Sequence, residues 1–279
     1  MKLKIYREFG ALNSEPIFNA VESGIKRIGW QLCNDNEDIP VIWSVLWGGR
    51  MRNNQVVYNQ ARLKNKPVLI VEVGNLKRNE TWRISLNHIN NLGEFANDTN
   101  LDELRPEKLG IFLNDRNENR KNKILIATQH KLSLQWQGQK SMEDWTEDKI
   151  KEIRQFSDRP IIIRPHPRSP FVRNIVGADL ELPKKIKDTY DDFDIDYNYH
   201  CVINFNSGPA VQAAIKGTPI ICDRTSLAFP VSDTIENIEK VTLPDRQDWF
   251  LKLCHTEWTV EEIFKGIPFA RLKEKFDLL

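Results

Sequence analysis

The chain has 279 residues, enough for one large domain or for two smaller ones that each bury a proper core. Its 40 Lys and Arg against 39 Asp and Glu leave a formal charge of +1, which removes a global argument for nucleic-acid binding and leaves open only a local basic patch. With 40% hydrophobic and 28% charged residues the composition is that of an ordinary globular protein, which excludes disorder, collagen and coiled coil.

In chain order, the start MKLKIYREFG has charges where a signal peptide has its apolar stretch, and no apolar run reaches the roughly 18–20 residues of a spanning helix, so the expected location is the cytoplasm with no membrane partner. Lys2–Arg7 alternates like a strand. After Gly10-Ala11-Leu12-Asn13-Ser14, Pro16 opens an amphipathic helix with Ile17, Phe18, Val21, Ile25 and Ile28 on one face, and Gly29 stops it. Pro40–Val45 reads as a strand, Gln55–Lys64 as a helix and Pro67–Val73 as a buried strand ending at Gly74. From Asn97 to Asn122 the chain is polar and without period, and the domain boundary is expected near Asn117–Asn122, giving domains 1–117 and 118–279, with the last helices packing back on the first. A second alternation follows: strand Lys123–Thr128, helix Met142–Phe156, strands Pro160–Arg164 and His200–Phe205, helix Gly208–Lys216 and strand Thr218–Cys222. Helices around Arg246–Leu253 and Val260–Lys265 close the chain. The expected fold class is α/β, two doubly wound Rossmann-like domains facing a cleft, because ligands sit at the carboxyl ends of parallel strands.

Three loops at such strand ends carry candidate chemistry. Arg164-Pro165-His166-Pro167-Arg168-Ser169-Pro170 follows an apolar strand, and its prolines stiffen a loop with two guanidiniums and an imidazole, a set that suits a diphosphate or phosphodiester; the alternative is a rigid surface turn with solvated arginines. In Asn204-Phe205-Asn206-Ser207-Gly208-Pro209 a buried strand breaks and restarts as a helix. Ser207 is placed to cap it, Pro209 fits the first turn, Gly208 allows close approach of a ligand, Gly217 ends the helix, and the first-turn amides favour an anion. The third loop, Thr128-Gln129-His130 through Trp136-Gln137-Gly138, offers an aromatic face and amides to a flat ligand, or else packs its Trp136 between the domains.

In order and spacing, the loop beginning Gln129, the His166-Pro167 loop and the helix start at Ser207 resemble the donor-binding half of GT-B glycosyltransferases, in particular bacterial capsule Kdo transferases and polysialyltransferases. The resemblance implies that His166 and Ser207 hold the nucleotide phosphate. Glu72-Val73-Gly74 with Arg78 resembles the capsule enzymes' Glu-Asp-Gly-Phe motif and its following Arg, with Val73 where that pattern has Asp, so Glu72 is the nearest surviving carboxylate for a general base. Gly10–Ser14, Trp43–Trp47, Leu134–Gly138 and Arg164–Pro170 are similar to stretches of uncharacterised glycosyltransferase-like proteins of tailed phages; phage glycosyltransferases that add sugars to hydroxymethylated pyrimidines of their own DNA make such a base the expected acceptor by analogy alone. Arg50, Arg52, Lys77, Arg78 and Arg83, with Trp47 and Trp82 among them, supply the mixture of cations and aromatics that an extruded base and its phosphates need; the alternative is a solvated basic face with core tryptophans.

Other features are set aside. Asp192-Phe193-Asp194 has the spacing of a metal-binding DxD but precedes a strand. His88, His200 and His255 have no partner at ligand spacing, no P-loop or GxSxG elbow occurs, and Cys33, Cys201, Cys222 and Cys254 form no CxxC pair. The expectation is therefore a transferase moving a sugar from a UDP- or CMP-linked donor to a hydroxyl, the favoured acceptor being 5-hydroxymethylcytosine in double-stranded phage DNA in the host cytoplasm. The donor would be bound by Gln129, His130, Arg164, His166, Arg168, Asn206, Ser207 and Gly208, the acceptor by Arg50, Arg78 and Trp82, with Glu72 or Glu15 as base. No metal or cofactor beyond the nucleotide sugar is required, and a monomer or weak dimer is expected. The alternatives are a glycan or capsule transferase, a sugar-nucleotide 2-epimerase, and an inactive nucleotide-sugar or nucleic-acid binding protein.

Overall fold

The computed structural model describes residues 1–116, 118–189 and 193–277. The chain forms two compact units, Met1–Ile111 with Leu251–Leu279, and Phe112–Phe250. The division falls at 111/112 rather than beside Asn117, which itself lies outside the described residues, and the segment from 251 onward belongs to the first unit.

The first unit runs β1 (Lys2–Ile5), α1 (Glu15–Arg27), β2 (Gln31–Leu32), β3 (Ile39–Trp43), α2 (Asn54–Leu63), β4 (Leu69–Val73), β5 (Thr81–Leu86) and α3 (Arg105–Lys108). The second unit contributes β6 (Lys121–Ala127), α4 (Met142–Ile153), β7 (Ile161–Arg164), β8 (Asp179–Leu180), β9 (Lys184–Lys185), β10 (Phe193–Asp194), β11 (Tyr199–Asn204), α5 (Gly208–Ile215) and β12 (Ile220–Cys222). The boundary between the units falls inside α6 (Gln247–Cys254), and β13 (Glu257–Thr259), α7 (Val260–Lys265) and α8 (Ile267–Asp277) complete the first.

In the first unit six strands lie in the order β13-β5-β4-β3-β1-β2. The four strands from β2 to β4 are parallel, whereas β5 returns antiparallel beside β4 and β13 antiparallel beside β5. The sheet is thus mixed rather than doubly wound throughout. The apolar stripe read for α1 is buried: Ile17, Phe18, Val21 and Ile25 pack with Leu3, Ile39, Val41 and Trp43, and Ile263, Phe269 and Leu272 of α7 and α8 join the same core. Each such side chain contributes roughly 1.5–3 kcal/mol by leaving water.

The second unit has a five-stranded, wholly parallel sheet in the order β12-β11-β6-β7-β8, with β9 and β10 as a separate antiparallel pair. Parallel strands covered on both faces are apolar without alternation, which is why Ile124–Ala127, Ile161–Ile163 and Tyr199–Ile203 are all buried. Trp136 is buried in this core, edge-on to Trp145 and Phe205, with its indole N–H donated to the Lys140 carbonyl. It is therefore a packing residue of its own unit. Gly217 ends α5 in the left-handed region, φ 79°, with its Cα so close to the Asp115 carbonyl that a Cβ would stand 2.0 Å from the oxygen. Among the described residues no helix is long and apolar enough to cross a membrane.

Candidate functional site

The loops after β6, β7, β11 and β12 leave the same, carboxyl, edge of the second unit's sheet, where open α/β sheets take ligands. After β7, His166 is clamped on three sides. Its amide donates to the Thr128 hydroxyl at 3.2 Å, its carbonyl accepts the Ser169 amide at 2.8 Å, and its Nδ1 accepts the Arg168 amide at 3.1 Å. After β6, His130 Nδ1 accepts the Leu132 amide at 3.1 Å. The two rings meet edge to face, centroids 5.1 Å apart, and the Lys131 amide donates to Ser169 at 3.3 Å, joining the loops. A nitrogen that accepts carries no proton, so the hydrogen-bond network assigns the proton of each neutral imidazole to Nε2 and makes both rings N–H donors. Burial, then the charges of Arg168 and Lys131, hold His130 below the ordinary histidine range, so it is neutral at pH 7.

The turn into α5 is built on Asn204. Its side-chain amide donates to the Ala127 carbonyl of β6 at 2.7 Å and to the Ser207 hydroxyl at 3.0 Å, and its oxygen accepts the Ser207 amide at 2.8 Å. Ser207 precedes the helix in an extended conformation, but its hydroxyl is engaged by Asn204 and makes no cap. The first turn of α5 has no side-chain cap, and Pro209 lacks an amide hydrogen; the remaining amides keep their capacity for an anion. Behind this turn, the Asn206 amide donates to Gln129 Oε1 at 3.3 Å, Gln135 donates to the Asn206 carbonyl at 3.1 Å, and Asn206 Nδ2 donates to the Thr225 hydroxyl at 2.8 Å, which in turn donates to Asp223 at 2.6 Å. Gln129 Nε2 and Asn206 Oδ1 are buried without a partner. Leaving such a group without a partner costs about 1–3 kcal/mol, and both atoms lie where the loops of this edge meet.

Gln129, His130, His166, Arg168, Asn206, Ser207 and Gly208 thus belong to neighbouring loops of one edge. Arg164 does not join them. Its buried guanidinium binds Glu181, the Asp196 carbonyl at 2.8 Å and the Tyr199 hydroxyl at 3.3 Å, and the last two lie at the entry to β11, the opposite edge of the sheet. Thr128, Asn204, Asp223 and Thr225 enter the site as supports that residue type alone did not single out; their common signal is a position one to three residues beyond a buried strand, or at its last residue.

In the first unit, Glu72 stands near the carboxyl end of β4. Its Oε2 accepts the Ser44 hydroxyl at 2.7 Å and the Val45 amide at 3.4 Å, and its Oε1 accepts the Val73 amide at 3.0 Å. Glu15 is exposed and bound to Arg7 at 2.6 Å, in a cluster that also holds Asn19 and Glu22. That occupation disfavours it as a base. Arg50 is exposed and reaches the Gly10 carbonyl at 3.4 Å, tying the loop after β3 to the loop after β1, and Arg78 is exposed on the β4–β5 turn. Trp82, by contrast, sits within β5 between Val73 and Trp258 and packs against the core; Trp47 is buried, and Arg83 is buried on Glu257 at 2.8 Å. These three belong to the fold rather than to a surface that meets an acceptor.

The discounted features have ordinary surroundings. His200 bonds the Ile238 carbonyl, His255 the Leu251 carbonyl and the Asp102 amide, and Asp196 pairs with Lys121. Asp192 of the DxD-like string lies outside the described residues.

Two Rossmann-type units joined in one chain, each with its loops at the carboxyl edge of its parallel strands, define the GT-B fold, and the comparison with solved structures gives the same result. The KpsC β-Kdo 2,4-transferase of Thermosulfurimonas dismutans matches with a TM-score of 0.51 and 10% identity, over 96% of this chain and 98% of that one. The β-Kdo 2,7-transferase of KpsC from the same organism gives 0.49 and 11%, over 96% and 99%, and S. aureus MnaA, in a structure with UDP, gives 0.34 and 10%, over 100% and 97%. The fold assignment rests on the first of these. No protein-family model matches the sequence, and no curated protein does.

Proposed function

We propose that the chain is a glycosyltransferase whose second unit binds a nucleotide sugar and whose first unit holds the acceptor. The observation that carries this reading is the carboxyl edge of the second sheet, where two Nε2–H imidazoles, Arg168, an uncapped helix start and the unpartnered Gln129 Nε2 and Asn206 Oδ1 are held by neighbouring loops. Such a set takes a nucleotide phosphate: the imidazoles and helix amides donate to its oxygens, and Arg168 with Lys131 offsets the charge that grows on it as the glycosidic bond breaks. With those donors doing the work of a cation, no metal is required. Glu72 takes the proton of the acceptor hydroxyl as that oxygen bonds the anomeric carbon and the phosphate leaves with the electron pair of the broken bond. The acceptor we favour is 5-hydroxymethylcytosine in DNA, supported by the exposed Arg50, Arg52 and Arg78 around the carboxyl edge of the first unit.

A thermal-shift panel of UDP, CMP, GDP and their sugars tests the donor site. One nucleotide at 100 times its Kd raises stability by about 2.7 kcal/mol, and the shift disappears in His166→Ala. Product formation on hydroxymethylated DNA or on glycan acceptors, unchanged by EDTA, identifies the transferase. Release of free nucleotide with a rearranged sugar and no acceptor requirement shows a 2-epimerase instead, and donor binding without turnover shows a binding protein.

A further inference from the structure

We propose that Ser44 is a positioning residue that holds the Glu72 carboxylate for proton transfer at Oε1; the role rests on the reading of Glu72 as base. Ser44 follows β3 directly, is buried, and has a left-handed backbone, φ 63°. Most other non-glycine residues with positive φ in this chain are asparagines, which adopt that conformation readily, whereas serine does so at a cost. Its amide donates to the Val71 carbonyl at 2.8 Å, which fixes the turn against β4. From there its hydroxyl accepts the Leu46 amide at 3.2 Å and donates to Glu72 Oε2 at 2.7 Å.

The division of donors selects the reactive oxygen. Oε2 accepts two, from Ser44 and Val45, which fills its lone pairs; Oε1 accepts one, from Val73, and keeps a lone pair for a proton. No lysine or arginine among the described residues pairs with Glu72. Strand β3 carries no charge, and Arg83, opposite Glu72 across the β4–β5 ladder, turns Nη1 to the Ile89 carbonyl and Nη2 to Glu257 of β13 rather than to Glu72. Among the described residues the Ser44 hydroxyl is therefore the one side-chain donor to the carboxylate.

Three variants separate the hydroxyl from the turn. Ser44→Gly keeps the backbone and removes the hydroxyl. Ser44→Asp keeps a left-handed backbone and an acceptor for the Leu46 amide but sets a second carboxylate against Glu72, and Ser44→Asn, of the same shape as Asp, sets an uncharged N–H donor there. The rate measured is slow transfer to water from UDP-glucose and from CMP-Kdo, which needs no acceptor, and crystal structures report the place of Glu72. Ser44→Gly and Ser44→Asp are expected to lower kcat on the order of 100-fold with the donor KM unchanged, and to release the carboxylate, while Ser44→Asn retains most of both. Equal kcat in Ser44→Asp and Ser44→Asn, or an unmoved Glu72 in Ser44→Gly, overturns the proposal. Glu72→Gln as active as the wild type removes Glu72 as base, and with it the catalytic part of the Ser44 role, whereas the crystal structures alone decide whether Ser44 holds the carboxylate if neither donor turns over.

Discussion

Arg164 and His166 stand two residues apart at the end of β7 and serve different ends. The Arg164 side chain runs to Glu181 and Tyr199 and lies over the Tyr197 and Tyr199 rings, so it ties β7 to the start of β11. Arg164→Met should lower stability by about 1–3 kcal/mol in urea titration while leaving nucleotide affinity of the folded protein unchanged. His166→Ala should do the reverse, and a loss of affinity in Arg164→Met would return that residue to the binding set. At this scale the sequence disclosed position better than direction. A proline-rich loop after an apolar strand is visible in the letters, and so is the carboxylate at Glu72. That Arg164 turns back along the sheet, that the Ser207 hydroxyl goes to Asn204 rather than to the helix, and that Ser44 takes a left-handed turn depend on partners 17, 3 and 28 positions away.

Strand β13 shows what an element of three residues can decide. Its Glu257 is wholly buried and accepts from Arg83, the Thr81 hydroxyl at 2.9 Å, and the Asn75 and Leu76 amides at 2.7 and 2.9 Å, so one carboxylate satisfies β5 and the β4–β5 turn together. Arg105 supports the same strand, donating to the Glu257 carbonyl and to Glu262, with its guanidinium 4.1 Å from the centroid of the Trp258 ring. Glu257→Ala leaves the buried Arg83 guanidinium without its counter-charge, held only by the Ile89 carbonyl, and two turn amides without their acceptor. The expected loss is about 3–5 kcal/mol, read from the denaturation midpoint, and a cost under about 1 kcal/mol would show that water replaces the carboxylate. The same chemistry hid β5 from sequence reading. Thr81, Arg83 and Ser85 are polar at buried positions, a pattern that reads as surface until the distant Glu257 is known. The strands and helices that were legible, α1, β4, β7 and α5 among them, carry their burial in their own letters.

At the scale of the molecule, four histidines are held below their ordinary range, in each case chiefly by burial: His88, His130, His200 and His255. Each binds its proton more readily unfolded than folded. The stability they contribute is therefore complete above their unfolded value of 6.5 and is lost as pH falls below it toward the depressed folded values. A second loss begins lower, as pH falls through 4.5, because Glu262 is depressed in the fold, burial opposing but the Arg105 hydrogen bond prevailing. Going down from pH 7, the melting temperature should fall in these two stages in a scanning-fluorimetry series; a level Tm between pH 7 and 5 would contradict the first. The fold class was legible because it follows from alternation alone. The division into units was less so, since the letters around Asn117 mark a polar stretch but not that residues 251 onward supply β13 to the first sheet.

Because the first unit is assembled from two stretches separated by the second, the order of synthesis and the order of folding part company. Residues 112–250 leave the ribosome as an uninterrupted set of strands and helices and can close their sheet at once. The earlier-made residues 1–111 lack their last strand: until Glu257 emerges, β5 is an open edge with Arg83 awaiting its carboxylate, and such an edge invites pairing with another chain. The half of the protein translated second is the half that can finish first, and the nascent first unit has to be kept from wrong partners for the whole time the second is being made.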